Sequence, residues 1–203
     1  MTIVYCLMGP TGSGKSTLAA ALSERFPVEV ISVDSAQIYR YLDIGTAKPS
    51  PAERRRVPHH LIDICDPDEQ YSAAQFREDA LREIEAIRGR GRIPLLVGGT
   101  GLYFRVLTEG IATLPSSDPE TRARLEAELA EHGSRRLHAR LKQVDPVAAR
   151  RIHPNDPQRL VRALEVFEVA KEPMTKVIAR APRPGLPYPV RKLGLVPDDR
   201  NWL

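Results

Sequence analysis

Near the start of the chain stand nine residues, Gly9-Pro10-Thr11-Gly12-Ser13-Gly14-Lys15-Ser16-Thr17, that fit the pattern G-x-x-x-x-G-K-[ST]. An apolar run, Ile3–Met8, precedes them, and apolar residues at helical spacing follow. A strand, a glycine-rich turn and a helix in this order are typical of a phosphate-binding loop, because backbone amides and the helix N-terminus then face the anion. The motif predicts a bound diphosphate or triphosphate, with Lys15 adding positive charge and Ser16 acting as a magnesium ligand.

The first half of the chain alternates strand-like and helix-like segments, with a Pro- and Arg-rich loop predicted before residue 60. In chain order we predict a strand at Ile3–Met8, a helix from Ser16 to about Phe26, a strand at Glu29–Val33, a third short apolar run at His60–Cys65, a helix at Ser72–Arg88 and a strand at Pro94–Val97. This alternation predicts an α/β fold, a P-loop NTPase-like parallel sheet with helices on both faces. Ligands of such sheets gather beyond the carboxyl ends of the strands, so the loops that start at Gly9, Asp34 and Gly98 should converge.

From Leu114 onward the pattern becomes helical. We predict helices from Ser117-Asp118-Pro119 to Gly133, at Ser134–Val144, around Pro146–Ile152 and from Asp156-Pro157 to about Lys171, followed by a strand at Lys192–Val196. The predicted organisation is an α/β core at 1–113, an α-helical insertion at 114–185 and a return to the core at 186–203. Because Pro197–Arg200 has the sequence of a turn and a helix cap, we expect the whole protein to continue beyond Leu203.

The composition is that of an ordinary globular protein. The chain has 203 residues, of which 42% are hydrophobic and 28% charged, and this excludes the disordered and fibrous classes. No apolar stretch approaches the length of a membrane span and no secretory signal is recognisable, so a cytoplasmic protein is predicted. Cys6 and Cys65 lack metal-site spacing and are predicted to be free thiols. No feature of the sequence indicates an obligate protein partner.

Positive charge is concentrated in the second half of the chain. Residues 1–110 contain 13 Lys and Arg against 14 Asp and Glu, whereas residues 111–203 contain 17 against 12. The pairs Arg135-Arg136 and Arg150-Arg151 fit a surface that contacts a polyanion. A solvated helix face would give the same pattern, and charge alone leaves both interpretations open.

Asp34 follows an apolar strand directly and is therefore predicted to lie near the phosphate loop. The carboxylate has three possible roles: a second magnesium ligand, a general base that faces an acceptor, or a cap for the turn that follows. Nearby, Gln37 has an amide that could hydrogen-bond a base edge, and Tyr39 and Tyr41 offer stacking surfaces. Each of these three side chains could equally be structural.

Five segments together resemble a known family. They are Gly9-Pro10-Thr11-Gly12-Ser13-Gly14-Lys15-Ser16, Ile31-Ser32-Val33-Asp34-Ser35-Ala36-Gln37-Ile38-Tyr39, Asp43-Ile44-Gly45-Thr46-Ala47-Lys48-Pro49, Leu95-Leu96-Val97-Gly98-Gly99-Thr100-Gly101-Leu102-Tyr103 and His153-Pro154-Asn155-Asp156-Pro157-Gln158-Arg159-Leu160. In this order, over essentially the whole chain, they resemble the bacterial tRNA dimethylallyltransferase family. The resemblance implies transfer of a dimethylallyl group from dimethylallyl diphosphate to the exocyclic N6 amine of the adenosine at tRNA position 37, 3′-adjacent to the anticodon. It implies Mg²⁺ as cofactor, and dimethylallyl diphosphate and the tRNA anticodon stem-loop as partners.

The same resemblance implies roles for particular residues. Asp34 would be the base, Thr100 would help to hold the adenine, and Lys15 would stabilise charge on the leaving group. Diphosphate binding is implied for Gly9, Pro10, Thr11, Gly12, Ser13, Gly14, Lys15 and Ser16. Contacts with tRNA are implied for Asp34, Ser35, Ala36, Gln37, Thr100, Arg122, Gln158, Arg159, Leu160, Val161 and Arg162. The helical spacing of Leu160, Leu164 and Phe167 is by itself better explained by packing in a core.

Two other functions fit parts of the sequence. A P-loop kinase for nucleotides or small molecules would use Lys15 and Ser16 to hold ATP, with the helical insertion as a lid that bears arginine. An RNA-binding module switched by a nucleotide would explain the basic second half but not the pairing of Asp34 with Thr100. Transfer of label from dimethylallyl diphosphate to tRNA separates the three hypotheses.

Overall fold

The computed structural model of the chain describes residues 3–196. These residues form two compact units: the core unit, up to residue 111 and from residue 184 onward, and the helical unit, residues 112–183. The turn and helix cap predicted at Pro197–Arg200 lie outside the described residues.

The core unit is built on a five-stranded parallel sheet. Its strands are β1 (Val4–Met8), β2 (Val28–Val33), β3 (His59–His60), β4 (Ile93–Gly98) and β5 (Val190–Gly194). Their order across the sheet is β3-β2-β4-β1-β5. The register aligns Met8 of β1 and Val33 of β2 with Gly98 of β4. The carboxyl ends of these three strands therefore meet at one edge, as predicted for an α/β sheet of this kind.

Helices cover both faces of the sheet, which confirms the predicted fold class. The helices of the core unit are α1 (Lys15–Ser23), α2 (Pro51–Arg56), α3 (Ala73–Gly89) and α4 (Gly101–Glu109). On one face, Ile31 of β2 and Leu96 of β4 pack in a cluster with Phe76 of α3. On the other face, Val30 of β2 packs in a cluster with Ala19 of α1. Neighbouring residues of β2 point to opposite faces, and all six of its residues are buried, as expected for a strand covered on both sides.

Helix α2 lies in the segment that we predicted to be a loop. Ser50 accepts a hydrogen bond from the Glu53 amide, the Glu53 carboxylate accepts one from the Ser50 amide, and Pro51 occupies the first helical position. Three arginines end the helix, where positive charge is favourable. These are ordinary helix start and end signals, and the loop prediction is wrong because α2 has no buried residue to give it an apolar period.

The third and fifth strands also differ from prediction. Strand β3 has two residues, because Leu61 and Asp63 adopt positive φ angles of 60° and 56° and turn the chain out of the extended conformation. The apolar run His60–Cys65 is therefore mostly a bend. Strand β5 begins at Val190 instead of Lys192, since its pairing with β1 starts at Val4.

The helical unit contains four helices among its described residues, α5 (Pro119–Val144), α6 (Pro146–Arg151), α7 (Pro157–Ala170) and α8 (Met174–Arg180). Asp118, Asp145 and Asp156 cap the first three, each accepting a hydrogen bond from a backbone amide three residues on. Gly133, with φ 75° and ψ 167°, interrupts α5 where a helix end is predicted. Buried leucines of α5 and α7 form the core of this unit, which includes Leu125, Leu137, Leu141, Leu160 and Leu164.

None of the helices in the described part of the chain combines the length and the apolar character needed to cross a membrane.

Candidate active site

The phosphate loop joins β1 to α1 at the edge where the strands end. Gly12 and Gly14 have φ angles of 84° and 82°, a left-handed conformation that glycine adopts without strain. At Gly9 a side chain is excluded, because an added Cβ would lie 2.3 Å from the carbonyl oxygen of Leu195. The residue that caps α1 is Gly14, which offers no side chain to the first amides of the helix. Those amides stay available for an anion.

Lys15 and Ser16 follow the loop and line the same cavity. The Lys15 ammonium group donates to the carbonyl oxygen of Pro10 and to Ser13 Oγ, and so lies over the loop. Burial lowers the pKa of Lys15 below its ordinary value, while the nearby charge of Asp34 acts in the opposite direction. The positive end of α1, the loop amides and Lys15 are the kind of groups that bind a polyphosphate.

Asp34 stands directly after β2 and lines the same cavity as the loop. Its Oδ1 accepts hydrogen bonds from the amides of Ala36, at 2.9 Å, and Gln37, at 3.4 Å, and so caps the turn. Its Oδ2 has no hydrogen-bond partner among the described residues. The carboxylate can therefore hold its own turn with one oxygen and accept a proton or bind a cation with the other.

Thr100 links the loop after β4 to the loop after β2. Its Oγ1 accepts a hydrogen bond of 3.1 Å from the Ser35 amide, and its own amide donates to the carbonyl oxygen of Val33. Gly98 and Gly99 line the cavity with Asp34 and the phosphate loop. The predicted convergence of the three loops is confirmed, and the Thr100 hydroxyl fixes the start of the turn that carries Asp34.

Gln37 has a structural role within its own loop. Its Oε1 accepts from Ser32 Oγ at 2.9 Å, and its Nε2 donates to the carbonyl oxygens of Thr46, at 3.2 Å, and Ala47, at 3.0 Å. Both ends of the amide are occupied, so of the two interpretations of Gln37 the structure supports the structural one. Of the neighbours predicted to contact tRNA, Ser35 is exposed and Ala36 is half-buried.

The cavity, about 290 Å³, is lined by both polar and apolar residues. The polar ones include Lys15, Ser16 and Asp34. The apolar ones are Ala19, Val30, Ala47, Pro49 and Val97. A site of this kind can hold a charged group and a short hydrocarbon side by side.

Sequence reasoning missed His59, which lines the same cavity. Its Nδ1 lies 2.7 Å from the carbonyl oxygen of Val57, to which the ring N–H donates. Burial lowers the pKa of His59, and the hydrogen bond to Val57 offsets this only in part. The imidazole is therefore neutral at pH 7. Nothing in the local sequence marks this histidine, because its place in the site depends on the pairing of β3 with β2.

Ser16, the predicted magnesium ligand, and Asp34 both line this cavity, and each has an oxygen of the kind that binds a cation. The described residues contain no group of three or more His, Cys, Asp and Glu side chains that could hold a metal ion. Two protein oxygens fit Mg²⁺ only where a ligand supplies more, as a diphosphate does.

The helical unit holds the other residues predicted to contact tRNA. Leu160 and Val161 are buried in its core, so their side chains are not available to RNA, and any contact of these two residues would have to use the backbone. Arg122 and Arg162 lie 3.7 and 2.7 Å from Glu165 Oε2. Arg159, although exposed, pairs with Asp156. Gln158 is exposed.

A second group of arginines in the helical unit is exposed and makes no ion pair with another described residue; its members are Arg135, Arg136, Arg150 and Arg151. The Nε2 atom of His138 lies 2.9 Å from the carbonyl oxygen of Ala149 and ties the second half of α5 to α6. Arg135 stands one turn before His138, and Arg150 follows Ala149 directly. The two pairs therefore lie on neighbouring segments and form one group, the basic group of the helical unit.

A parallel sheet with a phosphate loop, and a carboxylate that lines the same cavity as the loop, defines a phosphate-loop α/β protein. Comparison with known proteins gives the family. The family model described as "IPP transferase" matches residues 37–203, and one described as "Isopentenyl transferase" matches residues 2–63. The chain belongs to the IPP transferase family.

Two curated relatives are similar to nearly the whole chain. A protein of Halorhodospira halophila named tRNA dimethylallyltransferase is 57% identical over 200 residues, which are 98% of this chain and 64% of the relative. A protein of the same name from Nitrosococcus oceani is 59% identical over 194 residues, 96% of this chain and 62% of the relative. The chain thus spans less than two thirds of the length of these relatives.

Solved structures show the same similarity. A eukaryotic dimethylallyltransferase described as acting on tRNA has a TM-score of 0.82 at 31% identity, over 97% of this chain and 48% of that one. The full-length tRNA isopentenylpyrophosphate transferase of Bacillus halodurans has a TM-score of 0.58 at 40% identity, over 97% and 60%.

Proposed function

We propose that this protein transfers a dimethylallyl group from dimethylallyl diphosphate to the exocyclic N6 amine of the adenosine 3′-adjacent to a tRNA anticodon. The observation that carries the proposal is a single cavity lined by both the phosphate loop and Asp34. The loop would bind a diphosphate leaving group, and the carboxylate would accept a proton from an amine. Membership of the IPP transferase family and the names of the relatives support transfer to tRNA over the kinase alternative.

The loop side of the cavity would bind and activate the leaving group. A donor diphosphate presents the same anionic oxygens as the tail of a nucleotide, so the loop amides and Lys15 can bind it. As the bond between carbon and the diphosphate oxygen breaks, negative charge grows on that oxygen, and the fixed positive groups stabilise it. Mg²⁺, held by Ser16 and the diphosphate, would add positive charge at the leaving group when bound.

Asp34 would accept a proton from the nucleophile. The N6 lone pair is delocalised into the adenine ring, so N6 attacks carbon more readily if its proton is removed as the new C–N bond forms. Asp34 Oδ2, free of protein partners among the described residues, would accept that proton. The Oδ1 atom keeps the turn in place through Ala36 and Gln37. Diphosphate leaves, the amine becomes secondary, and the proton passes to the carboxylate.

The apolar residues that line the cavity would hold the hydrocarbon of the donor. Ala19, Val30 and Val97 come from α1, β2 and β4. Five carbon atoms placed against them are removed from water. A dry surrounding also protects the reactive carbon of the donor from attack by water.

The tRNA would be gripped through its backbone. An adenosine within a loop must be extruded before its N6 amine can reach a carboxylate in a cavity, and single-stranded loops oppose this least. The basic group of the helical unit, Arg135, Arg136, Arg150 and Arg151, has charges available for phosphates. Arg122 of α5 and Arg162 of α7 both pair with Glu165 of α7, and the Arg122 pair joins the two helices.

The test is incubation of the protein with labelled dimethylallyl diphosphate, Mg²⁺ and unmodified tRNA. We expect label in the tRNA, at the adenosine next to the anticodon, in proportion to the diphosphate released. The kinase alternative predicts ATP turnover that depends on an acceptor and no label in the tRNA. That outcome would overturn the proposal.

A further inference from the structure

An exposed apolar surface lies at the tip of the segment that leaves the site. In this segment, Tyr41 is 81% exposed, Leu42 is 42% exposed and Ile44 is 98% exposed. Single apolar side chains are common on protein surfaces. Three within four consecutive residues form a patch, which we call the apolar tip.

The apolar tip is held on an ordered frame. The side chain of Lys48, only 2% exposed, donates from Nζ to the carbonyl oxygen of Tyr39 at 2.8 Å and to Asp43 Oδ1 at 2.7 Å. It also pairs with Asp63 Oδ1 at 2.7 Å. Thr46 Oγ1 donates to the carbonyl oxygen of Leu42 at 2.8 Å. A surface ordered in advance loses little conformational freedom when it binds.

Tyr41 is not explained by the fold. Its φ angle is 66°, in the left-handed region, where any residue with a Cβ is strained and glycine is not. Its ring is exposed, so little packing offsets that strain. Tyr39 differs, because it is partly buried and its backbone bridges to Cys65. The sequence left both tyrosines open as stacking surfaces, and the structure separates them.

The apolar tip is continuous with the proposed site. Gln37, before the tip, and Ala47, after it, both line the cavity that holds Lys15 and Asp34. The Nε2 amide of Gln37 donates to the carbonyl oxygen of Ala47, so the two ends of the segment are joined at the cavity wall. The apolar tip is thus a short excursion of the chain that begins and ends at the cavity wall.

We propose that Tyr41, with Ile44 beside it, is a stacking platform for an unpaired base of the RNA that neighbours the target adenosine. This inference rests on the proposed function. Extruding one base from a loop leaves its neighbour without a stacking partner, and an aromatic ring supplies a new one. A protein partner fits less well, since three side chains are far fewer than a stable protein interface uses. Stacking on a flat ring accepts any base, so the platform positions the RNA without reading its sequence.

The test compares variants in equilibrium binding to an unmodified anticodon-loop hairpin. Replacing Tyr41 by glycine removes the ring and relieves the strain at φ 66°. We expect Tyr41→Gly to weaken hairpin binding by about 5- to 100-fold, the loss of one stacked base, and to leave the Tm unchanged or higher. Tyr41→Phe should bind as the unchanged protein does. Phe26→Ala, which removes a 51% exposed aromatic ring next to the opposite end of β2, is the matched control and should have no effect on binding.

A second readout reports stacking directly. With 2-aminopurine next to the target adenosine, the protein and Tyr41→Phe should quench its fluorescence on binding, and Tyr41→Gly should not. Unchanged affinity and unchanged quenching in Tyr41→Gly would overturn the inference. If the protein transfers no dimethylallyl group yet Tyr41 still controls binding and quenching, the proposed function fails and the platform stands. If transfer occurs and Tyr41→Gly behaves as the unchanged protein, the platform alone fails.

Discussion

Gly98 is the point of closest approach between two central strands, and alanine at this position should disrupt both the sheet and the site. A Cβ added to Gly98 would lie 2.0 Å from the carbonyl oxygen of Val33, 2.5 Å from its carbonyl carbon and 2.9 Å from its Cα. All three are backbone atoms of β2 and cannot rotate away. An unstrained contact needs about 3.5 Å, so the two strands would have to separate by roughly 1 Å or more.

The expected loss of stability follows from that displacement. Overpacking of a core usually destabilises by about 1–3 kcal/mol, and here relief requires movement of backbone. We therefore expect Gly98→Ala to lower the free energy of unfolding by about 3 kcal/mol or more. Because Gly98 also lines the cavity, donor binding should weaken in whatever fraction still folds.

Gly101→Ala is the matched control for this change. No atom lies within 4 Å of an added Cβ at Gly101, and the residue begins α4. Alanine there should be neutral or stabilising by about 0.5 kcal/mol. Urea denaturation followed by circular dichroism measures both variants, and calorimetric titration with dimethylallyl diphosphate measures the site. Wild-type stability in Gly98→Ala, or an equal loss in Gly101→Ala, would refute the reasoning.

Two further predictions concern the helical unit. Glu165 is buried and accepts hydrogen bonds from Ser117 and Arg162; burial raises its pKa, but these bonds and the nearby arginines outweigh it and the pKa is lowered. The ionised Glu165 therefore stabilises the fold above the pKa of an unfolded glutamate, and this stabilisation is lost as the pH falls through the pKa of the folded protein. Glu165→Gln should lower the free energy of unfolding by about 3 kcal/mol at pH 7 and make that free energy depend less on pH in acid. Equal stability of the two proteins at pH 7 would contradict this. In the basic group, the double variant Arg150→Ala, Arg151→Ala should bind tRNA more weakly. The slope of the logarithm of its binding constant against the logarithm of the salt concentration should be smaller in magnitude by about 2. An unchanged slope would exclude contacts of these two arginines with tRNA phosphates.

Much of the fold could be predicted because its signals are local. The glycines of the phosphate loop, the apolar run of β2 and the aspartate-proline helix starts each act within a few residues. Helix α2 also has a local helix-start signal, in Ser50-Pro51 and Glu53. Without an apolar period, that signal was not enough to predict a helix. The prediction for strand β3 was wrong for the opposite reason. The apolar run was present in the sequence, but positive φ angles at Leu61 and Asp63 end the strand after two residues.

The site was predictable as far as residue types and strand ends allow. That Asp34 faces the phosphate loop follows from the position of both after parallel strands. The use of its two oxygens, the commitment of the Gln37 amide to Thr46 and Ala47, and the presence of His59 depend on tertiary packing. The burial of Val161 likewise depends on which side of α7 meets α5, and a motif match does not contain that information.

The role of Asp34 as the base is the central claim, and Asp34→Asn tests it most directly. The asparagine oxygen can still accept from Ala36 and Gln37, so the turn is kept while the proton acceptor is lost. We predict a fall in the rate of transfer of about 100-fold or more, with the affinity for dimethylallyl diphosphate unchanged. The measurement is single-turnover transfer of labelled donor to tRNA beside calorimetric titration of the donor. A wild-type rate in Asp34→Asn, or loss of donor binding instead of loss of rate, would contradict the assignment.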